Sequence, residues 1–370
     1  MTQFVLDEIC IRLSSGKSIP AAEVFEKGKY PVIGGNGVRG YADKANFSGG
    51  CVVIGRQGAA CGNVRYFSGE AYMTEHAVVV QANKNHDTHF LAYLLSTMHL
   101  GQLSAQSAQP GLSVKTLSQQ CVDMPSLDVQ RAIVALLGTL DAKISLNSHL
   151  NPNLEEAMQC LYSEYFTYEQ PTMGTIYDIA DVIYGAPFKS SLFNEEGEGF
   201  PLIRIRDLST YEPQFFTAEE HPKRTFIDPG DVLAGMDAEF VPTLWLGEKA
   251  VLNQRVCCFR PPEDSNTCPS YLLLALKPLL AFIQNYAAGT TVAHMGKGDL
   301  ESLVVPLPKS ADLKRFALQA EPMRRQMVLN AIENKRLRKL RDTLLPKLMS
   351  GKIDVSQIDL TQLNNHLTDY

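Results

Sequence analysis

The chain has 370 residues, 45% of them apolar, and a net charge of −6; that is enough for two cores at roughly 100 to 200 residues per domain, and too acidic overall for a nucleic-acid binder held by bulk positive charge. No run approaches the roughly 18 consecutive apolar positions of a membrane helix, and the opening Met1-Thr-Gln-Phe-Val-Leu-Asp-Glu lacks the basic flank and apolar stretch of a signal peptide, so the expected compartment is the cytoplasm. The eight cysteines (Cys10, Cys51, Cys61, Cys121, Cys160, Cys257, Cys258, Cys268) form no C-x-x-C pair, which argues against a zinc knuckle or a redox dithiol and predicts reduced core thiols.

Residues 1–126 mix β-rich runs, Cys51–Ile54 and Ala77–Val80, with glycine-rich turns and a helical patch, Phe90–Met98, predicting an α+β domain. Ser14-Ser-Gly-Lys-Ser18 has Ile11 where a phosphate loop needs glycine, and no long apolar strand precedes it. The glycines of Gly34–Gly40 and Gly55–Gly62 are read as turns. His86 and His89 have helix-compatible ligand spacing, but with His76 alone as a third candidate and no clustered acid or cysteine they are read as a solvent-exposed turn.

After a short strand-like segment, Cys121–Pro125, residues Ile133, Leu137, Leu140, Ile144, Asn147, Asn151, Leu154, Met158, Leu161 and Tyr165 step by alternating four and three, a heptad seam. Adding 183 gives Phe316, Ala320, Met323, Met327, Asn330, Asn334, Leu337, Arg341, Leu344 and Leu348. The seam recurs with both asparagines in register and one departure, Arg341, again after a strand-like segment, Val304–Pro308. This is an internal duplication. Tyr30–Asn36 also corresponds to Phe200–Arg206, and Gly50–Arg56 to Gly230–Met236, so the second globular segment, with its own β-rich run Val256–Phe259, carries insertions.

The chain is therefore read as an α+β pseudo-two-fold internal repeat: a domain at 1–126, a helix at 127–171, a domain at 172–309, a helix at 310–352 and a tail at 353–370. Between Lys309 and Lys352 stand twelve Lys or Arg against four Asp or Glu, a local excess of eight that leaves −14 on the remainder. The first helix carries Asp128, Asp141, Glu155, Glu156 and Glu164 against Arg131 and Lys143, so the helices are expected to pair as an antiparallel coiled coil. With Asn147 beside Asn334 and Asn151 beside Asn330, Glu155 and Glu156 approach Arg324 and Arg325, and Asp141 approaches Arg338 and Arg341. The residues assigned to pairing are Leu140, Ile144, Asn147, Asn151 and Leu154 with Met323, Met327, Asn330, Asn334 and Leu337. Pro152 and Pro322 are expected to kink or restart their helices, with Asn151 or Asn153 as a cap. A helix of about 37 residues is roughly 55 Å long, a spacer that would hold two domains apart along DNA by no more than roughly 16 base pairs.

No catalytic motif emerges. Asn151-Pro-Asn-Leu154, the nearest text to the Asn/Asp-Pro-Pro-aromatic element of a DNA methyltransferase, lies inside the heptad seam. Glu333-Asn-Lys335, the nearest to a nuclease Glu-x-Lys, lies on the charged helix. No catalytic residue and no metal ligand is assigned.

Gln130-Arg-Ala-Ile-Val-Ala-Leu-Leu-Gly-Thr-Leu-Asp-Ala-Lys-Ile-Ser-Leu-Asn147, running on to Leu161–Phe166, resembles the central conserved region of the specificity subunits of type I restriction-modification systems. Leu337–Gly351 resembles their distal conserved region. Tyr30-Pro-Val-Ile-Gly-Gly-Asn-Gly37, Gly289-Thr-Thr-Val292 and Leu303–Pro308 resemble elements of their target recognition domains. The resemblance implies a non-catalytic subunit that reads a bipartite double-stranded DNA site, one domain per half, with the helices fixing the unread spacer. It also implies two methyltransferase subunits docked on the helices and motor-nuclease subunits in the full complex. S-adenosylmethionine, ATP and Mg are then expected on those partners and no cofactor on this chain.

Base reading needs long donors on loops, and phosphate positioning needs Lys, Arg or backbone amides. The candidates are Arg39, Arg56, Arg65 and Lys115 in the first domain and Lys189, Arg204, Arg206, Arg255, His294 and Lys297 in the second. The competing reading is a coiled-coil assembly protein that does not read DNA, and a self-contained restriction enzyme is a third; binding of S-adenosylmethionine by the purified chain alone discriminates the last.

Overall fold

The computed structural model describes residues 1–104, 111–287 and 293–355; Gly289-Thr-Thr-Val292 and nearly all of the 353–370 tail lie outside them. The chain divides into two units, each combining a globular segment with stretches of both long helices: Met1–Ala142 with Arg338–Tyr370, and Lys143–Leu337.

The first unit is built on β1 (Thr2–Val5), β2 (Cys10–Ser15), β3 (Tyr30–Gly34), β4 (Gly37–Ala42), β5 (Phe47–Gly55), β6 (Val64–Met73), β7 (Ala77–Ala82) and β8 (Cys121–Met124). A six-stranded sheet has the order β2-β7-β5-β6-β3-β4, and β1 pairs with β8 in a separate ribbon. The apolar runs Val52–Ile54 and Val78–Val80 are buried, as strands covered on both faces must be. Among the described residues its globular segment also carries α1 (Leu6–Ile9), α2 (Thr88–Ser96) and α3 (Val114–Ser118). The Asp87 carboxylate caps α2, accepting from the backbone of His89 and Phe90 at 2.8 and 2.9 Å, and α2 lies on β5, β6 and β7.

The second unit repeats this plan with insertions. Its strands are β9 (Thr172–Thr175), β10 (Asp181–Tyr184), β11 (Phe193–Asn194), β12 (Phe200–Ile203), β13 (Phe216–Thr217), β14 (Phe226–Ile227), β15 (Val232–Gly235), β16 (Thr243–Leu244), β17 (Ala250–Leu252), β18 (Val256–Arg260) and β19 (Val304–Leu307). The antiparallel trio β2-β7-β5 recurs as β10-β18-β15, the parallel pair β3-β6 as β12-β17, and the ribbon β1-β8 as β9-β19.

Two long helices complete the set: α4 (Leu127–Tyr165) before β9, and, after the second unit's α5 (Pro269–Ala287) and α6 (Lys297–Glu301), α7 (Ser310–Met349). Met158 of α4 and Phe316, Ala320 and Met327 of α7 join α5, β15 and β18 in the main core of the second unit. Rings of Tyr162, Phe166, Tyr271 and Phe316 interlock there, Phe166 meeting Phe316 edge-on at 5.2 Å, contacts of about 0.5–1.5 kcal/mol beyond burial.

Within the second unit the seam is pinned by its asparagines. Asn147 Nδ2 donates to Asn334 Oδ1 at 3.0 Å and Asn330 Nδ2 to Asn151 Oδ1 at 2.8 Å. Numbers that rise on α4 fall on α7, so the helices run antiparallel. Asn334 Nδ2 also reaches Ile144 O and Ser148 Oγ, and Asn151 Nδ2 reaches Met327 O. Leu140, Ile144, Asn147, Met327, Asn330, Asn334 and Leu337 are buried; Asn151, Leu154 and Met323 are half-buried.

Several expectations are corrected. Both helices continue through Pro152 and Pro322 without a restart. Asn151 bonds across to α7 instead of capping. Pro152 and Ser148, whose carbonyl loses its helical donor, are both exposed, so water can take that carbonyl. Glu155 pairs with Lys277 of α5 at 2.7 Å, and Arg324 with Glu321 of its own helix at 2.8 Å; the charge pattern of two helices could not foresee a third. In the first unit Asp141 does pair with Arg341 at 2.8 Å, which places an ion pair at the polar step of the seam. Cys121 and Cys160 are exposed, so not every thiol is a core thiol, although all eight are free. His89 is no exposed turn: it is half-buried on α2, stacked between Tyr66 at 3.9 Å and Tyr93 at 4.8 Å.

Candidate nucleic-acid interface

In the first unit β3 ends in a glycine turn. The pairing of β3 with β4 skips Arg39, since Val32 faces Gly40 and Ile33 faces Val38; Arg39 is the extra residue of a bulge, a device that re-aims a side chain. Its aliphatic stem lies over Gly34. A Cβ at Gly35 would stand 3.1 Å from Gly55 Cα, which brings the turn after β5, and Arg56 with it, against this one. Gly37 holds φ at +108° and Arg65 packs where its Cβ would be.

The guanidiniums meet neutral oxygens. Arg65 Nη1 donates to Asn36 O at 2.7 Å and Arg56 Nη1 to Ser15 Oγ at 3.4 Å. The charge of these side chains is left uncompensated by such partners, and Arg39 and Arg65 are exposed. Lys115 is exposed on α3, not packed on this turn.

The second unit places its candidates differently. After β12, Arg204 lies 4.1 Å from the ring of Phe215 and 3.8 Å from the buried Asp207 carboxylate. Burial raises the Asp207 pKa and lowers that of Arg204, and two Arg204 nitrogens are buried without a hydrogen-bond partner. Arg204 is thus committed to the interior, while Arg206 is exposed. Ile205, between them, packs on Gly235, as Gly35 packs on Gly55 in the first unit.

Arg255 and His294 converge on Asp237. Arg255 Nε lies 3.5 Å from Asp237 Oδ2 and His294 Nδ1 2.6 Å from Asp237 Oδ1. Asp237 and His294 form an isolated antiparallel bridge, and Gln57 and Gly111 form its counterpart in the first unit. The next residues, Ala238 and Gly58, share a left-handed backbone at φ +66° and +71°. Lys297 pairs with Glu301 at 3.3 Å and Lys189 is exposed beside a 3₁₀ turn; neither joins the cluster.

Asp237, Asn36 and Ser15 were not singled out in the sequence. The repeat itself carried the signal for Asp237, because the offset of 180 that aligns Arg56 with Met236 sets Asp237 against Gln57. Among the described residues no group of three His, Cys, Asp or Glu is placed to hold a metal ion, and no helix is long and apolar enough to cross a membrane. Each unit offers exposed long donors at turns on one repeated framework, which suits hydrogen bonding to phosphates and base edges.

The sequence profile described as the type I restriction modification DNA specificity domain matches residues 1–156 and 169–338. The chain belongs to this family. As a member it is 38% identical over 135 residues to the type I restriction enzyme EcoprrI specificity subunit of Escherichia coli, covering 35% of this chain and 34% of that protein. It is 28% identical over 231 residues to the EcoBI specificity subunit of the same organism, covering 61% of this chain and 48% of that one. The chain thus spans about a third and about half the length of these relatives. The crystal structure of a type I restriction-modification system S subunit from M. genitalium covers 94% of this chain and 95% of its own at a TM-score of 0.65 and 19% identity, which shows a shared fold.

Proposed function

We propose that this chain is the DNA-specificity subunit of a type I restriction-modification complex and does no chemistry itself. The observation that carries the proposal is the repeated unit: the same strand framework occurs twice, each time with exposed cationic donors around its parallel strand pair, Arg39 and Arg65 in the first unit and Arg206 and Arg255 in the second. Each unit reads one half of a bipartite double-stranded DNA site, and the asparagine-registered helices set the unread gap between the halves. Leu146, Leu150 and Leu329 are 60%, 36% and 58% exposed on α4 and α7; apolar side chains left uncovered on long helices suit docking of partner subunits. Those partners are two methyltransferase subunits, which use S-adenosylmethionine, and motor-nuclease subunits, which use ATP and Mg, all acting in the cytoplasm.

A segment exchange tests this. Residues 172–309 are replaced by the corresponding segment of another specificity subunit, and modified adenines are mapped in cells that also carry the cognate methyltransferase. The proposal expects one half of the methylated motif to change and the other to persist. A motif that changes in both halves, or the absence of any motif with the wild-type chain, contradicts it.

A further inference from the structure

The two units do not present their cations in the same way. In the first, Arg39, Arg56 and Arg65 surround a glycine turn and the contacts of Arg56 and Arg65 are neutral oxygens. In the second, an acid stands where the first has Gln57. Asp237 is the shielded member of its cluster, with 28% of its side chain exposed against 54% for Arg255 and 48% for His294, so the two donors face outward and the carboxylate lies behind them.

The loop that carries Asp237 is rigidly held. Ala238 keeps a left-handed backbone, a strained conformation for a residue with a Cβ. Its N–H donates to Ala293 O at 3.0 Å. Gln284 of α5 grips the loop twice, accepting from Phe240 N at 2.9 Å and donating to Ala238 O at 2.7 Å. The Arg255 carbonyl accepts from Met236 N at 2.9 Å, so the residue that bears the guanidinium is tied to the same loop.

We infer that Asp237 is a positioning residue that determines base specificity in the second unit, by holding Arg255 for a guanine edge in the major groove. The inference rests on the proposal that the chain reads DNA. Arg255 Nη1 lies 3.5 Å from His294 Nδ1, but that nitrogen directs its hydrogen to Asp237 Oδ1 and has no lone pair left to accept. A guanidinium paired with Asp237 through its Nε edge can therefore still present its two Nη groups as a planar fork, the shape that matches guanine O6 and N7. The neighbouring carboxylate offsets its charge and so weakens indiscriminate attraction to phosphate. An arginine held only by neutral oxygens, as Arg56 and Arg65 are in the first unit, keeps its full charge and is suited to phosphate positioning. Half-site two then depends on direction and half-site one more on charge.

The test uses the full chain with its methyltransferase subunits, motif mapping in cells, and binding to a duplex carrying the mapped motif and to a scrambled duplex over a salt series. Asp237→Asn is expected to lower the specific-to-non-specific affinity ratio by about tenfold, to steepen the salt slope of non-specific binding by about one, and to relax one position in one half of the motif. Arg255→Lys keeps the charge and loses the fork; it is expected to relax the same position with the salt slope unchanged, and it carries the test should Asp237→Asn fail to fold. An unchanged motif in a folded variant, or a loss equal on both duplexes, overturns the role of Asp237 alone. A wild-type complex without any motif overturns the DNA-reading proposal and this inference together.

Discussion

Removing one asparagine at a time from the buried pair separates register from stability. Asn334→Ala deletes the acceptor of Asn147 and the donor to Ile144 O and Ser148 Oγ. Asn147 Nδ2 keeps one of its two acceptors, Glu333 Oε2 at 2.6 Å, so the loss is confined to neutral hydrogen bonds and costs about 1–2 kcal/mol. Asn147→Ala is worse, because it strips Asn334 Oδ1 and the half-buried Glu333 carboxylate of a donor and leaves Lys143 at 3.6 Å as the remaining partner of that charge; about 2–3 kcal/mol follows. The double change Asn147→Leu with Asn334→Leu leaves nothing polar unpaired in the pair and fills an apolar seam, but still takes the Asn147 donor from Glu333, so it recovers most of the Asn334→Ala loss and part of the Asn147→Ala loss. Trp245, the chain's one tryptophan and fully buried in the second unit, reports that unit by fluorescence in urea. At a slope of about 2–3 kcal/mol/M, the single changes move the midpoint down by roughly 0.5–1 M. A double variant as unstable as the sum of the singles, or a larger loss from Asn334→Ala than from Asn147→Ala, refutes the reasoning.

Other outcomes follow from the same structure. Tyr93→Phe removes the hydroxyl that donates to Asp141 at 2.5 Å while Arg341 remains on that carboxylate; about 1–2 kcal/mol is lost, seen in circular dichroism melting without a matching change in Trp245 fluorescence. Burial holds the His89 and His86 pKa values below the ordinary imidazole range, so the folded first unit binds fewer protons than the unfolded chain. Its stability is full above about pH 6.5 and falls as the pH drops through the lowered folded values; His89→Phe, which keeps the ring stack, flattens the His89 share of this dependence in melts at a series of pH values. Gly37→Ala meets both a φ of +108° and the Arg65 side chain, and lowers the first unit's stability by about 1–3 kcal/mol, measured by the same melts. Arg39→Gln weakens binding to specific and non-specific DNA alike and reduces the salt slope by about one; a loss confined to one sequence contradicts a phosphate role for Arg39.

The helix pair was legible because a heptad seam is a local pattern, and two buried asparagines at a matching offset leave few registers. The strands were legible where apolar runs are continuous, as at Val52–Ile54 and Val78–Val80. What escaped depends on elements distant in sequence. Lys277, 122 residues from Glu155, takes the carboxylate that the two-helix pattern would give to Arg324 or Arg325. His89 has the composition of an exposed turn until Tyr66 arrives from β6 to stack on it. The arginines around the Gly34–Gly37 turn could be chosen by residue type and glycine-rich context, whereas Arg204 has the same signal and is committed inside by Phe215 and Asp207. Asp237 carries no such signal, because an acid is an unexpected member of a DNA-facing cluster until Arg255 and His294 are brought beside it by the fold.

The most direct test of two readers and a fixed gap is methylation mapping in cells carrying the cognate methyltransferase, with one heptad deleted from matching stretches of α4 and α7. Seven residues at 1.5 Å each shorten each helix by about 10 Å, close to three base pairs of DNA. The account predicts that both half-site sequences persist and the gap between them shrinks by about that number. An unchanged gap with a folded variant contradicts the helices as the spacer, and a gap that persists while a half-site sequence changes contradicts the division of labour between units and helices.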